Sequence, residues 1–246
     1  MQCYLILAGL VDICLNVDME NLDPSLAYLG VYTLDRVKLI NTSYFFLFME
    51  LIKQGAEAKL WRNGELLIKE RIKKNYRIDE IDSKLRKTRT RKEAKLLEKS
   101  HNLINVPKLY NVDEKSMTIT MEFVHGDLVK NVFDELNERV RINLCTDMGK
   151  QIAELHNNNI IHGDLTTSNM ILNKEKLFLF DFGLGFESLR VEDKAVDLHL
   201  LGQAFESKHH LYSEKAFDNV LRGYSVKGDK SVIERLKKVE GRGRYK

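Results

Sequence analysis

The sequence predicts an α+β protein of two unequal lobes, the first small and rich in strands, the second compact and mainly helical. Three observations predict it. The chain has 246 residues, 43% of them apolar, enough for one large domain or two small lobes around a sizeable core. Strand patterns and a hairpin signal crowd the first half. Long segments of helical period fill the second.

Taken in order, residues 1–50 differ from the rest, with two basic and six acidic side chains and no strong period. They read either as an added segment or as a stretch upstream of the readable domain, which follows Met49 directly. LFMELIKQ (47–54) reads as a strand, Gly55-Ala56-Glu57-Ala58 as a loop and AKLWR (58–62) as a second strand. Asn63-Gly64 suits a type I′ hairpin turn, after which ELLIK returns as a third strand ending at Lys69. Residues 84–100 are strong helix formers, with Ala94, Leu96 and Leu97 on an apolar side. Pro107 opens a connection, and SMTITMEFV (116–124) is a strand rich in β-branched residues. Residues 137–158 predict a long helix with Ile142, Cys145, Met148, Ile152 and Leu155 on one face. Short strands near 170–172 and 176–180 follow, then helical segments to the end. The boundaries expected are an extension over 1–49, a first lobe over 50–124 and a second over 125–246 with a basic tail.

Composition excludes several classes. Disorder needs few apolar residues and high net charge; the net charge here is +3. The longest apolar runs, near 3–11 and 44–49, are far short of the roughly 20 residues that span a bilayer, and Asp12 interrupts the first. No membrane association and no cleaved leader are expected. Cys3, Cys14 and Cys145 are odd in number and without metal spacing, as in a reduced, intracellular protein. Positive charge concentrates after residue 50. Residues 71–92 hold ten Lys/Arg against three Asp/Glu, and 227–246 hold eight against three. Such surfaces suit polyanions, because phosphate contacts release counterions; for an isolated cluster a solvated helix face and a frayed end are the preferred reading.

The strongest chemical signal is His162-Gly163-Asp164-Leu165-Thr166-Thr167-Ser168-Asn169, followed by Asp181-Phe182-Gly183. A carboxylate, a carboxamide five residues on, and a second carboxylate seventeen after the first suit phosphoryl transfer from a nucleotide. Asp164 accepts a hydroxyl or water proton, while Asn169 and Asp181 offer hard oxygens to Mg2+ bridging the phosphates. The strands MIL and LFLF, with a turn at Asn173–Glu175, bring Asp181 back beside Asn169. Lys69 on the third strand and Glu93 on the predicted helix match the lysine that holds α/β-phosphates and its glutamate partner in protein kinases. Glu98 is the other helix glutamate able to face that way. Gly55, Ala56, Glu57 and Ala58 stand where a protein kinase has its phosphate loop; Glu122 and Val124 fall either in an inter-lobe connection that offers backbone groups to adenine or in a plain edge strand. Asp197 braces the catalytic loop, His162 orients it, and His199, His209 and His210 show no metal pattern.

From Gln54 onward the chain resembles the small atypical kinase/ATPase subunit of the KEOPS (EKC) tRNA-modification complex, related to the RIO kinases. The resemblance rests on KQGAEA (53–58), IKERIKKNYRIDEIDSKLRKTRTRKEAKLL (68–97), HGDLTTSN (162–169), DFGLG (181–185), EDKAVDLHLL (192–201) and GRGRYK (241–246). It implies a bilobal protein-kinase-like fold binding Mg-ATP. It also implies partnership with the threonylcarbamoyl-transferase subunit and other KEOPS subunits, and a role in threonylcarbamoyladenosine formation on tRNA. The first 50 residues have no counterpart in it.

The departures from a full protein kinase are informative. Only Gly55 stands where G-x-G-x-x-G is expected, so fewer backbone amides wrap the phosphates. Gly163 occupies the place where regulated kinases carry an arginine that captures a phosphorylated loop. With prolines only at 24 and 107, no Ala-Pro-Glu segment follows Asp181. The ATP machinery is complete while the platform for a protein substrate is reduced. Two other readings stay open here: a small-molecule phosphotransferase and a non-catalytic tRNA adaptor acting through the basic segment and tail.

Overall fold

The computed structural model describes residues 49–243. The expectations for the N-terminal extension, for Cys3 and Cys14 and for the last three residues of the tail lie outside the described residues. Within them the fold is bilobal. The first lobe is a five-stranded antiparallel sheet of order β1-β2-β3-β5-β4, built from β1 (Glu50–Gln54), β2 (Ala58–Asn63), β3 (Leu66–Arg71), β4 (Leu109–Asp113) and β5 (Thr118–Glu122). One long helix, α1 (Asp79–His101), connects β3 to β4.

The second lobe opens with β6 (Asp127–Leu128), the single turn α2 (Val129–Val132) and a 3₁₀ turn at Phe133–Glu135. Helix α3 (Glu138–Asn157) follows, capped by Asn137, whose side chain accepts the Val140 amide at 3.0 Å. Strand β7 (Ile160–Ile161) leads into the loop that carries Asp164, and a 3₁₀ turn at Thr167–Asn169 leads out of it. The hairpin β8 (Met170–Asn173) and β9 (Lys176–Leu179) adds to β6, and β10 (Phe186–Glu187) pairs with β7. Helices α4 (Val191–Lys208), α5 (Ser213–Tyr224) and α6 (Lys230–Gly243) complete the lobe.

Apolar packing is continuous between the lobes. Leu96 and Leu97 of α1 and Ile119 and Met121 of β5 belong to the same buried cluster as Met148 and Ile152 of α3, Leu165, and Leu198 of α4. Truncating a fully buried member such as Ile152 to Ala costs about 2–5 kcal/mol through lost transfer energy and the cavity left behind. A shared core of this kind keeps the site between the lobes in register.

Several elements differ from expectation. The hairpin turn is centred on Gly64 and Glu65, since Asn63 pairs with Leu66. Only Gly64 has positive φ, at 57°, which fits a II′ turn with glycine first and corrects the I′ reading. Strand β3 runs two residues past Lys69, placing that lysine within the sheet. Helix α1 starts five residues earlier than its apolar pattern indicates; Asp79, Glu80 and Asp82 fill its first turn, where the N-terminal dipole favours acids. Strand β4 was not anticipated, because Leu109–Asp113 is a half-exposed edge with no clean alternation. On α3, Cys145, Met148, Ile152 and Leu155 are buried, whereas Ile142 is exposed at the margin of that face. Among the described residues no helix is long and apolar enough to cross a membrane.

Candidate active site

Strand β3 and helix α1 place the first part of the site. Lys69 Nζ donates to Glu93 Oε1 at 2.6 Å and to Asp181 Oδ1 at 2.7 Å. Glu93, 2% exposed, projects from the inner face of α1 with Ala94 and Leu97. Glu98, the other candidate, lies on the exposed side of the helix. Burial works against the charge on Lys69, yet the carboxylates of Glu93 and Asp181 outweigh it and raise its pKa above 10.5. Burial likewise tends to raise the Asp181 pKa, but the Lys69 ammonium and the Gly183 amide bring it below 3.8. The Asp181 side chain remains 41% exposed.

The second part is built by the loop from β7 to β8. Asn169 Nδ2 donates to the Asp164 carbonyl at 2.9 Å and to Asp164 Oδ2 at 2.8 Å. These bonds fix the orientation of the carboxamide and leave its Oδ1 without a hydrogen-bond partner among the described residues. Asp164 Oδ1 is likewise unpartnered there. The β8–β9 hairpin pairs Met170 with Leu179, and the Phe180 amide donates to the Asn169 carbonyl at 3.1 Å. Asp181 is thereby carried back next to Asn169, and it adopts φ 66°, a left-handed conformation uncommon for a residue with a side chain.

Two buried groups hold this loop. Asp197 of α4 accepts the His162 amide on Oδ2 at 2.8 Å and the Gly163 amide on Oδ1 at 2.9 Å, and its Oδ2 lies 3.2 Å from His156 Nε2. His162 Nδ1 accepts the Asp164 amide, so Nε2 carries the proton and donates to the Phe180 carbonyl at 3.0 Å. His162 therefore spans the two halves of the site from a fully buried position. His209 is also structural: Nδ1 meets Asp134 Oδ1 at 2.7 Å and Nε2 meets Thr167 Oγ1 at 3.0 Å. Gly163 has φ 78°, and a β-carbon there would lie 2.5 Å from the Leu184 carbonyl oxygen. The backbone itself excludes an arginine at that place.

The loop at Gly55–Ala58 is exposed up to Ala58, which is buried at the start of β2. The Gly55 amide is taken by the Ala58 carbonyl at 2.9 Å, and the amides of Ala56 and Glu57 have no backbone acceptor among the described residues. The Ala56 carbonyl accepts Lys74 Nζ, and the Glu57 carboxylate faces Arg89 at 2.9 Å and Arg77 at 3.8 Å. The Glu57 side chain is thus turned to these arginines. At the inter-lobe connection, Glu122 exchanges bonds with Lys108, and the Phe123 amide is taken by Glu65. Buried Val124 keeps its backbone groups unpaired among the described residues.

Sequence reasoning missed Arg71 and Asp82. Arg71 is buried, and its Nη2 is bonded to Glu93 Oε2. The available signal was the two-residue spacing from Lys69, which puts both on one face of a strand. Asp82, fully buried, accepts Arg86 Nε at 2.6 Å and the Lys74 amide at 3.2 Å, pinning the β3–α1 connection to α1. Most cations of the basic segment are paired in this way; Lys84 and Lys92 alone lack a partner among the described residues.

The chemistry of the donor set fits a nucleotide and Mg2+. Asn169 Oδ1 and the Asp181 carboxylate are hard oxygens beside each other, and Lys69 supplies a cation for phosphate. Among the described residues no three His, Cys, Asp or Glu side chains cluster as a metal cage.

A lysine–glutamate pair across sheet and helix, with an Asp–Asn loop and a carboxylate behind it, defines a protein kinase domain. The protein kinase domain model matches residues 67–194. The chain is 43% identical over 213 residues to the KEOPS complex subunit Bud32 of Pyrococcus abyssi, covering 80% of this chain and 97% of that protein. It is 38% identical over 207 residues to the EKC/KEOPS complex subunit BUD32 of Enterocytozoon bieneusi, covering 80% and 98%. A probable bifunctional tRNA threonylcarbamoyladenosine biosynthesis protein of Methanobrevibacter smithii is 44% identical over 214 residues, 83% of this chain and 38% of that protein. The chain belongs to the Bud32 family of KEOPS complex subunits, within the protein kinases.

Proposed function

We propose that this chain binds Mg-ATP between its lobes and transfers or hydrolyses the γ-phosphate in support of threonylcarbamoyladenosine modification of tRNA. The observation that carries the proposal is the convergence of Lys69, Glu93 and Asp181 in one ion cluster, with Asn169 and Asp164 alongside. Lys69 engages the α/β-phosphates and Glu93 orients it. Asn169 Oδ1 and the Asp181 carboxylate hold Mg2+, which when bound neutralises charge on the phosphates. Asp164 Oδ1 takes the proton of the attacking hydroxyl or water. Ala56 and Glu57 amides cover the phosphates, and Val124 with the Glu122 carbonyl meets adenine. Neighbouring glycines are absent from this cover, which supports a loose, slow site acting as ATPase or atypical serine/threonine kinase.

The names of the relatives support assembly with other KEOPS subunits. The bifunctional name of the Methanobrevibacter smithii protein supports pairing with a second biosynthetic activity, for which the threonylcarbamoyl-transferase subunit is our candidate. We assign tRNA contact to the tail first. The cations of 71–92 are largely engaged within the fold, whereas Lys230, Lys237 and Lys238 of α6 have no carboxylate partner among the described residues. The test is Mg2+-dependent ATP turnover by purified protein, with and without the transferase subunit, against Asp181→Ala. Turnover lost in the variant is expected; wild-type protein that neither binds nor hydrolyses ATP in either setting overturns the proposal.

A further inference from the structure

We propose that Tyr224 is a positioning residue of the Asp164 loop, acting on it through His156 and Asp197. This rests on the function proposed above and adds to the same site a residue from a helix that carries none of its chemistry. Tyr224 ends α5 and is fully buried. Its hydroxyl is 3.1 Å from Nδ1 of His156, in the last turn of α3, and Nε2 of that ring is 3.2 Å from Asp197 Oδ2. Asp197 in turn accepts the His162 and Gly163 amides. A phenol, an imidazole and a carboxylate thus form one buried line that ends on the backbone carrying Asp164.

Close helix packing creates this line. A β-carbon at Gly149 of α3 would lie 2.0 Å from the Val220 carbonyl oxygen and 2.5 Å from the Tyr224 nitrogen, and one at Gly223 of α5 would lie 2.0 Å from the Thr146 carbonyl oxygen. With glycine on both helices the backbones meet, and the Tyr224 ring is brought edge-on to His156, centroids 5.6 Å apart. Past α5, Asn157 Nδ2 donates to the Lys227 carbonyl at 3.0 Å and Lys227 Nζ to Glu154 Oε2 at 3.1 Å, fastening the chain after Tyr224 to the same turn of α3. Burial raises the Tyr224 pKa above 10, so the phenol keeps its proton. His156 Nδ1 is the sole hydrogen-bond partner of that hydroxyl among the described residues, and a buried O–H without an acceptor is costly. The hydroxyl therefore donates to Nδ1, and the ring proton sits on Nε2, where it donates to Asp197. With both nitrogens engaged the ring cannot turn, and Asp197 Oδ2 is shared between His156 and the His162 amide in one fixed geometry. Loss of the hydroxyl leaves Nδ1 buried and unpaired. The disturbance then reaches the Asp164 loop, while Lys69 and Glu93 in the first lobe keep their contacts.

The test uses Tyr224→Phe, which keeps the ring and removes only the hydroxyl, together with His156→Gln and the two combined. Glutamine carries a permanent N–H donor for Asp197 and has no tautomer for Tyr224 to set. In Mg-ATP turnover, Tyr224→Phe is expected to lower kcat at least about threefold with KM within about twofold of wild type, the loss of one positioning hydrogen bond. Added to His156→Gln, it changes kcat by less than about 1.5-fold. Nitrogen NMR of wild type shows His156 with a proton on Nε2 and none on Nδ1. Amide exchange at His162 and Gly163 rises in Tyr224→Phe by at least about threefold more than exchange at the amides of β5. A smaller change in kcat or in exchange, a KM that rises as far as kcat falls, equal losses in both backgrounds, or a proton on Nδ1 overturns the inference. Should His156→Gln not fold, the nitrogen spectrum and the exchange rates of wild type and Tyr224→Phe decide alone. If wild-type protein neither binds nor hydrolyses ATP, the proposed function falls, and the same two readouts still decide whether Tyr224 positions the loop.

Discussion

Replacing Asp197 with alanine removes the acceptor on which the Asp164 loop is hung. The side chain is fully buried and takes two backbone amides, from His162 at 2.8 Å and Gly163 at 2.9 Å, with His156 Nε2 at 3.2 Å from Oδ2. Alanine leaves all three without a partner. A buried donor left unsatisfied costs about 1–3 kcal/mol; with some relief from water entering the vacated space, the total is about 4 kcal/mol. A domain of 150–250 residues loses about 2–4 °C per kcal/mol, so Tm falls by about 8–16 °C. Asp197→Asn keeps the shape and one accepting oxygen but turns an amide NH2 toward a backbone N–H, and about half that loss is expected. Circular dichroism melts at fixed protein concentration read both variants. An Asp197→Ala protein melting within about 2 °C of wild type would refute the reasoning, because the carboxylate would then carry no net hydrogen-bond energy.

Three further outcomes follow from the geometry and charge of particular groups. Burial tends to raise the Asp181 pKa and the Lys69 ammonium more than reverses this, so its contribution to stability is present above pH 3.8 and fades as pH falls through the lowered folded value. The gap in urea midpoint between wild type and Asp181→Asn should therefore be flat near neutrality and narrow in acid; a gap that widens in acid contradicts the assignment. Burial pushes the Cys145 thiol up to about 12, so in a Cys3→Ser/Cys14→Ser protein no thiol should react with a disulfide reagent at pH 8 until denaturant is added. Hydrogen bonds from Lys95 and Lys99, at 2.9 and 2.6 Å, hold the Glu187 carboxyl at about 2. The pairs are solvent-exposed, so Glu187→Gln should shift Tm by less than about 3 °C in dilute buffer and by less still in 0.5 M salt; a larger, salt-insensitive shift would mean that β10 is anchored to α1 by more than charge.

Much of the site was legible because its chemistry is local in the chain. Asp164 and Asn169 share one loop, and the Asn173–Glu175 turn between two short apolar strands predicts the return of Asp181. The reading of Lys69 and Glu93 came from order along the chain, a lysine after a hairpin and a glutamate on the next helix. Arg71 and Asp82 were hidden in a stretch of ten cations and three acids, where composition reads as a solvated surface. Beyond the two-residue spacing of Arg71 from Lys69, nothing linear distinguishes the buried members of such a run from the exposed ones. The turn at Gly64 was misplaced for a related reason: Asn63-Gly64 is the stronger local signal, but the pairing of β2 with β3 sets the register, and Asn63 is drawn into the strand.

The amino-acid order by itself determined which groups this protein has for nucleotide chemistry, which glycines and prolines it lacks, and the alternation of strand and helix that makes two lobes. Side-chain type and short spacing are properties of the chain before it folds. Only the tertiary structure decided which charges are counterions to one another. Those pairings depend on a strand face meeting a helix face across a shared apolar core, where an arginine is buried against Glu93 and an aspartate against Arg86.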